Sequence, residues 1–398
     1  LDQVYNKQNE GGIWATPGSV PDPSKLFTWG SNAYGQLGQN GATGWSNGKS
    51  SPTQVGTGSD WQSIASSGNA GSEYTKSAVK TDGTLWVMGG NQYGALGQNN
   101  NSQYSSPVQI PGTTWKDPNG ADRIIVTKTD GTLWSYGLNE YGRLGLNDNV
   151  QRSSPTQIPG TTWDASSSKS TVNGITASIK TDGTLWTWGV STNGQTAQND
   201  TINRSSPVQV PGTWSTISSG SQSVWGVKTD GTAWGWGRNE YGELGQNTRG
   251  AGGSPHNSGF SSPVQIGTES TWTNLTSGYG SCIGTKTDGT MWVWGWDQHG
   301  QLGLEGPSNV KYSSPVQLGT DTTWSTILGT VASMEYGVAA IKSDGTLWSW
   351  GFNNFGQLGQ NNQAPNPGMY SSPKQVGTDT KWGRVYGTTG GVTALQDL

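Results

Sequence analysis

Residues 80–97 read KTDGTLWVMGGNQYGALG, and variants of this stretch recur along the whole chain of 398 residues. Its central part, Leu-Trp-x-Trp-Gly or a close variant, which we call the Trp segment, returns every 48 to 59 residues. The seven copies begin at Leu26, Leu85, Leu133, Leu185, Ala233, Met291 and Leu347. A repeat of about 50 residues is typical of propellers and related repeat architectures, in which each copy forms one supersecondary unit. The sequence therefore predicts seven structural units.

Each unit carries the turn signals of short antiparallel strands. Six units place Asp-Gly before the Trp segment, as at Asp82 and Gly83, and this pair predicts a hairpin with a type I′ turn. From Leu85 to Met88 the alternation puts apolar side chains on both faces of the strand, so the sheet must be covered on both sides. We therefore expect an all-β, seven-bladed β-propeller with four short strands per blade, one of which starts at the Pro of Ser-Ser-Pro-x-Gln.

The two ends of the chain predict how the ring closes. Residues 392–395 match the strand that elsewhere precedes the Asp-Gly turn, whereas residues 26–29 form a Trp segment that lacks this strand. Pairing of the two segments would complete one blade and remove two free sheet edges. The domain prediction is an irregular arm over residues 1–24, with Trp14 as an anchor to a partner, followed by the propeller over residues 25–398.

Composition excludes several classes of function. Only 12% of the residues are charged and the formal net charge is −4, which gives no electrostatic reason to expect a nucleic-acid partner. No apolar run is long enough to insert into a membrane. His256 and His299 lack the spacing of metal ligands or of a catalytic triad, so we expect no metal, no cofactor and no enzyme activity. Turn formation explains the repeated Asp, and core packing explains most of the 22 Trp residues.

The order of Asp-Gly, Trp-Gly strand and Gly-x-Leu-Gly, kept in register from Lys25 to Leu398, resembles the repeat of the regulator of chromosome condensation family. The chain departs from that repeat where members often carry His-Thr, since it has Ser77-Ala78-Val79 there. The resemblance implies a non-catalytic binding scaffold. The neutral repeats, rich in Gly, Asn and Gln, also resemble those of bacteriophages and environmental bacteria.

From this resemblance we expect a protein-binding scaffold that is a virion structural or decoration component, or an extracellular adhesion component. Its partner would be a protein or a host assembly such as a capsid, a tail or a cell surface. One alternative is an intracellular, cytoplasmic regulator of the guanine-nucleotide exchange factor type. Another is a secreted propeller that inhibits an enzyme. Fold alone does not choose among them, because one fold hosts many functions.

Loop length predicts where the partner binds. Between Gly-x-Leu-Gly and Ser-Ser-Pro the seven units have 11, 7, 7, 7, 15, 9 and 11 residues, so the longer loops are consecutive once the ring closes. Neutral insertions would also be tolerated there. Because loops on a rigid scaffold commonly bind partners, we expect one lobe made of residues 39–49, 246–260, 304–312 and 360–370. Its partner-binding residues would be Trp45, Arg249, His256, Phe260, Tyr312, Met369 and Tyr370.

Overall fold

The fold is a ring of seven four-stranded antiparallel blades, as a computed structural model of the chain shows. The structure describes residues 24–65, 75–120, 122–163, 169–172, 174–220, 222–249, 259–334, 336–362, 368–388 and 390–398. The prediction of an all-β, seven-bladed propeller is confirmed. The predicted arm, including Trp14, lies outside the described residues, apart from Ser24 at the start of the first strand.

The strands follow the repeat. Blade 1 is composite and comprises β1 (Ser24–Asn32), β2 (Gly44–Gln54) and, from the other end of the chain, β26 (Trp382–Thr388) and β27 (Gly391–Asp397). Blade 2 comprises β3 (Trp61–Ala65), β4 (Thr75–Lys80), β5 (Leu85–Gly89) and β6 (Tyr104–Ile110). Blade 3 comprises β7 (Trp115–Gly120), β8 (Arg123–Lys128), β9 (Leu133–Gly137) and β10 (Arg152–Ile158), with a 3-10 turn (Glu140–Gly142) after β9.

Blades 4 and 5 share one long strand. Blade 4 comprises β11 (Lys169–Val172), β12 (Ile175–Ile179), β13 (Thr184–Gly189) and the first half of β14 (Arg204–Ser219). Blade 5 comprises the second half of β14, β15 (Ser223–Lys228), β16 (Ala233–Gly237) and β17 (Phe260–Gln265). Blade 6 comprises β18 (Trp272–Ser277), β19 (Ser281–Lys286), β20 (Met291–Asp297) and β21 (Val310–Gln317), and blade 7 comprises β22 (Val331–Ser333), β23 (Gly337–Ile341), β24 (Leu347–Phe352) and β25 (Met369–Gln375).

The ring closes as the sequence predicts. Strand β27 pairs antiparallel with β1, and the register places Leu26 opposite Leu395 and Trp29 opposite Val392. The first strand of each blade lies toward the ring axis, because first strands of successive blades contact one another at six boundaries, and β27 contacts β3 at the seventh. The Ser-Ser-Pro strand is therefore the outer one. Its Pro lies inside the strand, not at its start as expected: Pro107 falls within β6, where the register with β5 shifts at a bulge that tolerates a missing N–H.

A backbone hydrogen bond joins each blade to the next. At the closure, the Asn361 N–H donates to the Ser50 carbonyl oxygen at 2.8 Å. The six other interfaces repeat this bond at 2.7–3.0 Å, from Asn40 to Ser105, Asn99 to Ser153, Asn147 to Ser205, Asn199 to Ser261, Asn247 to Ser313 and Glu305 to Ser371. All seven donors have positive φ, which Asn tolerates better than most residues. Glu305 is thus the unusual member of the set.

The Asp-Gly turn differs from the predicted type I′ turn. Lys80 and Thr84 pair across a three-residue loop in which Gly83 has φ +76°, whereas Asp82 keeps a negative φ. This is the geometry of a three-residue hairpin whose last residue is left-handed. Asp82 is required for hydrogen bonding instead: its Oδ1 accepts from the Thr84 N–H at 2.9 Å and from the Thr84 hydroxyl at 2.6 Å. The Thr84 oxygen in turn accepts the Trp86 indole N–H at 2.8 Å.

In blades 4 to 7 the Trp segment contains two Trp residues, and these have different environments. The second one is buried between blades, and Trp350 donates its indole N–H to the Gln301 carbonyl oxygen of the preceding blade at 3.0 Å. The first one is half-buried beside a lysine. In blades 2 to 7 the Nζ of that lysine lies 3.7–5.3 Å from the ring centroids of this Trp and of the Trp that faces the lysine from the innermost segment of the blade. The lysines are Lys80, Lys128, Lys180, Lys228, Lys286 and Lys342.

Candidate protein-binding surface

One rim of blades 5 to 7 carries a continuous row of partly exposed aromatic side chains, which we call the aromatic ribbon. The start of β19 lies beside the end of β20, because Ser281 pairs with Gly295, and the start of β23 lies beside the end of β24, because Gly337 pairs with Gly351. The hairpins before β19 and β23 therefore reach the same rim as the ends of β20 and β24. The ribbon consists of Tyr241, Tyr279, Trp296, His299, Tyr336, Phe352 and Phe355.

The ribbon is connected ring to ring. Tyr241 of blade 5 stacks on Trp296 of blade 6 with centroids 4.5 Å apart and planes 16° apart. Trp296 contacts Tyr279 at 6.1 Å, and Tyr279 contacts Tyr336 of blade 7 at 5.4 Å. The row continues from Tyr336 to His299 at 4.7 Å, from His299 to Phe352 at 5.1 Å and from Phe352 to Phe355 at 6.3 Å. All these separations fall in or near the range of favourable aromatic pairs.

Cations border the ribbon at its blade 5 end. The guanidinium carbon of Arg238 and the Nζ of Lys311 each lie 4.9 Å from the centroid of the Tyr241 ring. Arg238 also forms an ion pair with Glu240. The Trp296 indole N–H is satisfied by Asn309 Oδ1 at 2.8 Å. This end therefore combines aromatic faces with Arg, residue types that are enriched at the energetic centres of protein interfaces, and Lys311 adds a second positive charge.

Two acidic side chains lie beneath the ribbon at positions that most other blades fill with amides. Glu243 is buried, and its Oε2 accepts the Tyr241 N–H at 2.6 Å; burial raises the pKa of this carboxyl to about 7. Asp297 is buried and accepts the Leu302 N–H at 3.1 Å; burial raises its pKa as well. Burial lowers the pKa of His299 in the ribbon, so its neutral form is favoured.

The loop residues predicted to bind a partner fall into three groups. Phe260, Tyr312 and Tyr370 are half-buried and pack against core clusters, so they also support the scaffold. Met369 pairs with Phe352 at the edge of the ribbon, and Arg249 is exposed. His256 lies outside the described residues, like Trp14, and the side chain of Trp45 is not described. These residues stay a prediction.

The ribbon residues are not among the predicted site residues, and His299 is considered only as a metal ligand or triad member, although the signal of the ribbon is in the sequence. After the Gly of the Trp segment, blades 6 and 7 continue with Trp296 and Phe352, whereas the other five blades have Ser31, Gly90, Leu138, Val190 and Arg238. Tyr279 and Tyr336 stand two residues and one residue before β19 and β23, respectively. Blades 5 to 7 are also three of the four blades with longer loops. The ribbon therefore lies in three of the four blades to which the predicted lobe was assigned.

The described part of the chain contains no group of three or more His, Cys, Asp or Glu side chains that could hold a metal ion. Within the same residues, no helix has the length and apolar character needed to cross a membrane. Cys282 is buried, and burial raises the pKa of its thiol, which disfavours the reactive thiolate. The partly exposed aromatic ribbon is thus the feature of the described surface that best fits recognition of a partner.

Comparison with known proteins agrees with this architecture. The repeat described as Regulator of chromosome condensation (RCC1) matches residues 24–70, 82–117, 130–166, 182–225, 230–283, 288–329 and 344–387. Human WBSCR16 superimposes with a TM-score of 0.77 at 18% identity, covering 94% of this chain and 99% of that one. A structure of yeast RCC1 (Prp20) bound to Kap60 superimposes with a TM-score of 0.76 at 15% identity, and the match covers 94% of this chain and 89% of that one.

A further structure is that of Prp20p from Saccharomyces cerevisiae, described together with its binding to Gsp1p and histones. Its TM-score is 0.77 at 16% identity, and the match covers 94% of this chain and 92% of that one. At these identities the solved structures establish a shared fold. They do not transfer a partner.

Proposed function

Because the chain belongs to the regulator of chromosome condensation (RCC1) repeat family, we propose that it is a protein-binding propeller whose partner docks on the aromatic ribbon of blades 5 to 7. The observation that carries this proposal is the unbroken row of ring contacts from Tyr241 to Phe355, left partly exposed on a rigid rim. Contiguous exposed apolar surface of this kind commonly marks interaction sites.

The composition of the ribbon supports a protein as its partner. Aromatic side chains bring large contact area with few rotatable bonds, and neighbouring Arg238 and Lys311 add charge that can pair with acidic groups of a partner. The same rim in blades 2 to 4 has Gly90, Leu138 and Val190 where the ribbon has Trp296 and Phe352. Among the described residues, only blades 6 and 7 therefore carry an aromatic side chain directly after the Gly of the Trp segment.

The cellular setting is a second part of the proposal. Of the solved structures with the same fold, those of yeast RCC1 concern binding to Kap60, Gsp1p and histones. These cases favour the alternative of an intracellular regulator, for instance of the exchange-factor type. No comparison supports the virion or extracellular setting that the sequence style suggested. If the protein is an exchange factor, its addition should accelerate the release of guanine nucleotide from a small GTPase. Unchanged release from all small GTPases of the source cell would exclude this alternative.

The experiment compares partners retained by the wild-type chain and by a Tyr336→Ser, Phe352→Ser double variant. The proposal expects at least one protein that binds the wild type and loses tenfold or more in affinity with the double variant, which corresponds to about 1.4 kcal/mol. Tyr141→Ser is the matched control, because Tyr141 occupies the repeat position of Phe355 and is 52% exposed, but in blade 3. A partner lost with Tyr141→Ser and retained by the double variant would refute the ribbon as the binding surface.

A further inference from the structure

Blades 6 and 7 each contain an internal cation site built from two Trp rings and a carboxylate. In blade 7, Lys342 Nζ lies 5.0 Å from the Trp324 ring and 4.0 Å from the Trp348 ring, and it pairs with Asp321 at 2.5 Å. In blade 6, Lys286 lies between Trp272 and Trp292 and pairs with Glu269. In both blades the acid stands three residues before a Trp of the site, with Glu269 before Trp272 and Asp321 before Trp324.

The composite blade has the same arrangement of two aromatic rings and a carboxylate, but it lacks the lysine. Trp382 is paired with Gln396, just as Trp272 is paired with Lys286, so Gln396 takes the position of the cation. Phe27 takes the place of the second Trp and lies 5.4 Å from the Trp382 ring in an edge-on arrangement. Asp379 stands three residues before Trp382, as Glu269 and Asp321 do before theirs, and it accepts a hydrogen bond from the Gln396 amide.

The replacements leave open space. Gln is shorter than Lys and Phe is smaller than Trp, and a cleft of about 600 Å³ lies here between blades 7 and 1. Its wall includes Phe27, Trp382, Asp379 and Gln396. Lys25 is opposite Gln396 in the strand register but does not line the cleft. In the described part of the chain, no lysine or arginine lies over the Phe27 or Trp382 ring.

We propose that this cleft binds a primary alkylammonium group, such as the side chain of a lysine presented by a protein partner. In six blades a lysine ammonium of the chain itself occupies the equivalent position, which shows that a pair of aromatic rings in this place accommodates such a group. Two aromatic faces attract a cation, and the Asp379 carboxylate supplies the opposite charge. This site is separate from the aromatic ribbon, and its failure would leave the proposed function untouched.

The test uses n-butylammonium, with neutral n-butanol as the uncharged probe of the same size, in titrations followed by the indole NMR signal of Trp382. The proposal expects saturable binding of the ammonium and no saturable binding of butanol. Nα-acetyl-lysine amide, whose free ε-ammonium is the group that a lysine side chain of a protein presents, should bind at the same site. Equal binding of n-butanol would overturn the proposal, because the cleft would then recognise the butyl chain and not the ammonium group.

Two variants make the test specific. Gln396→Lys should fill the cleft from within, abolish ammonium binding and raise the melting temperature. Asp379→Asn should leave the fold intact and weaken binding at least fivefold, whereas Asp321→Asn in blade 7, whose site is already occupied by Lys342, should leave binding unchanged. Undiminished binding to a folded Gln396→Lys or Asp379→Asn protein would contradict the assignment.

Discussion

Tyr241 and Trp296 lie face to face across the boundary between blades 5 and 6, with ring centroids 4.5 Å apart and planes 16° apart. Tyr241 follows β16 and Trp296 belongs to β20, so the stack ties two blades together and continues the aromatic ribbon from one to the next. Arg238 and Lys311 flank the same Tyr ring. One stack thus serves both blade packing and the proposed binding surface.

Replacing Trp296 by Ala should affect binding more than stability. The partly exposed ring loses its stacking, which costs about 1 kcal/mol in an aromatic pair, while the partner loses the centre of the ribbon. We expect a small fall in melting temperature and a tenfold or larger loss in partner affinity, about 1.4 kcal/mol. Calorimetric melting and titration of the same preparation separate the two effects. Unchanged affinity with a folded variant would show that the partner does not touch Trp296.

Glu243→Gln should stabilise the protein at neutral and alkaline pH. Four other blades have Gln at this position, as at Gln357, whose Oε1 accepts the Phe355 N–H at 2.9 Å. Burial raises the pKa of Glu243 from 4.5 to about 7, so the folded state holds the proton more tightly than the unfolded state. The protonated acid contributes its full stability below pH 4.5, and this is lost as pH rises through 7.

The difference in unfolding free energy between Glu243→Gln and wild type should therefore grow between pH 4.5 and 7 and reach on the order of 3 kcal/mol above pH 8. Denaturant unfolding from pH 4 to pH 9 measures it. The control is Glu240→Gln, because Glu240 is on the same loop but pairs with Arg238 at the surface. A constant difference across this pH range would mean that Glu243 ionises alike in both states.

Glu305→Asn should stabilise the contact between blades 6 and 7. Glu305 has φ +53°, and the six equivalent residues, all Asn, adopt the same left-handed conformation. Asn accepts this conformation at lower cost than Glu, so we expect a gain of about 0.5–1 kcal/mol. The reverse change, Asn99→Glu at the contact between blades 2 and 3, should destabilise by a similar amount. If both variants melt like the wild type, the left-handed residue does not govern this contact.

Deleting residues 391–398 should cost several kcal/mol, because β27 is the strand between β26 and β1 and its loss breaks the composite blade. Removal of Leu398 alone, which is 57% exposed and follows the end of β27, is the control and should change little. Thermal melting compares the two. A full deletion that melts within error of the wild type would show that pairing of the chain ends adds nothing to stability.

The sequence predicts the parts of this structure that the repeat itself determines. The pairing of Trp29 with Val392 follows from matching each chain end to its place in the unit, so it could be predicted residue by residue. The turn type could not, because Asp82 serves through its side-chain bonds to Thr84 and not through its own φ. The ribbon escaped prediction for a different reason: Tyr279 and Tyr336 come from different blades, and only the ring brings them to 5.4 Å.

The central claim is that a protein partner docks on the aromatic ribbon. The most direct measurement places a photoreactive benzoyl-phenylalanine at position 355 or, as the matched control, at position 141, which is the same repeat position in blade 3. After irradiation with the partner bound, we expect a cross-link from position 355 and none from the more exposed position 141. A cross-link from position 141 alone would place the partner on the other side of the ring and rule out docking on the aromatic ribbon.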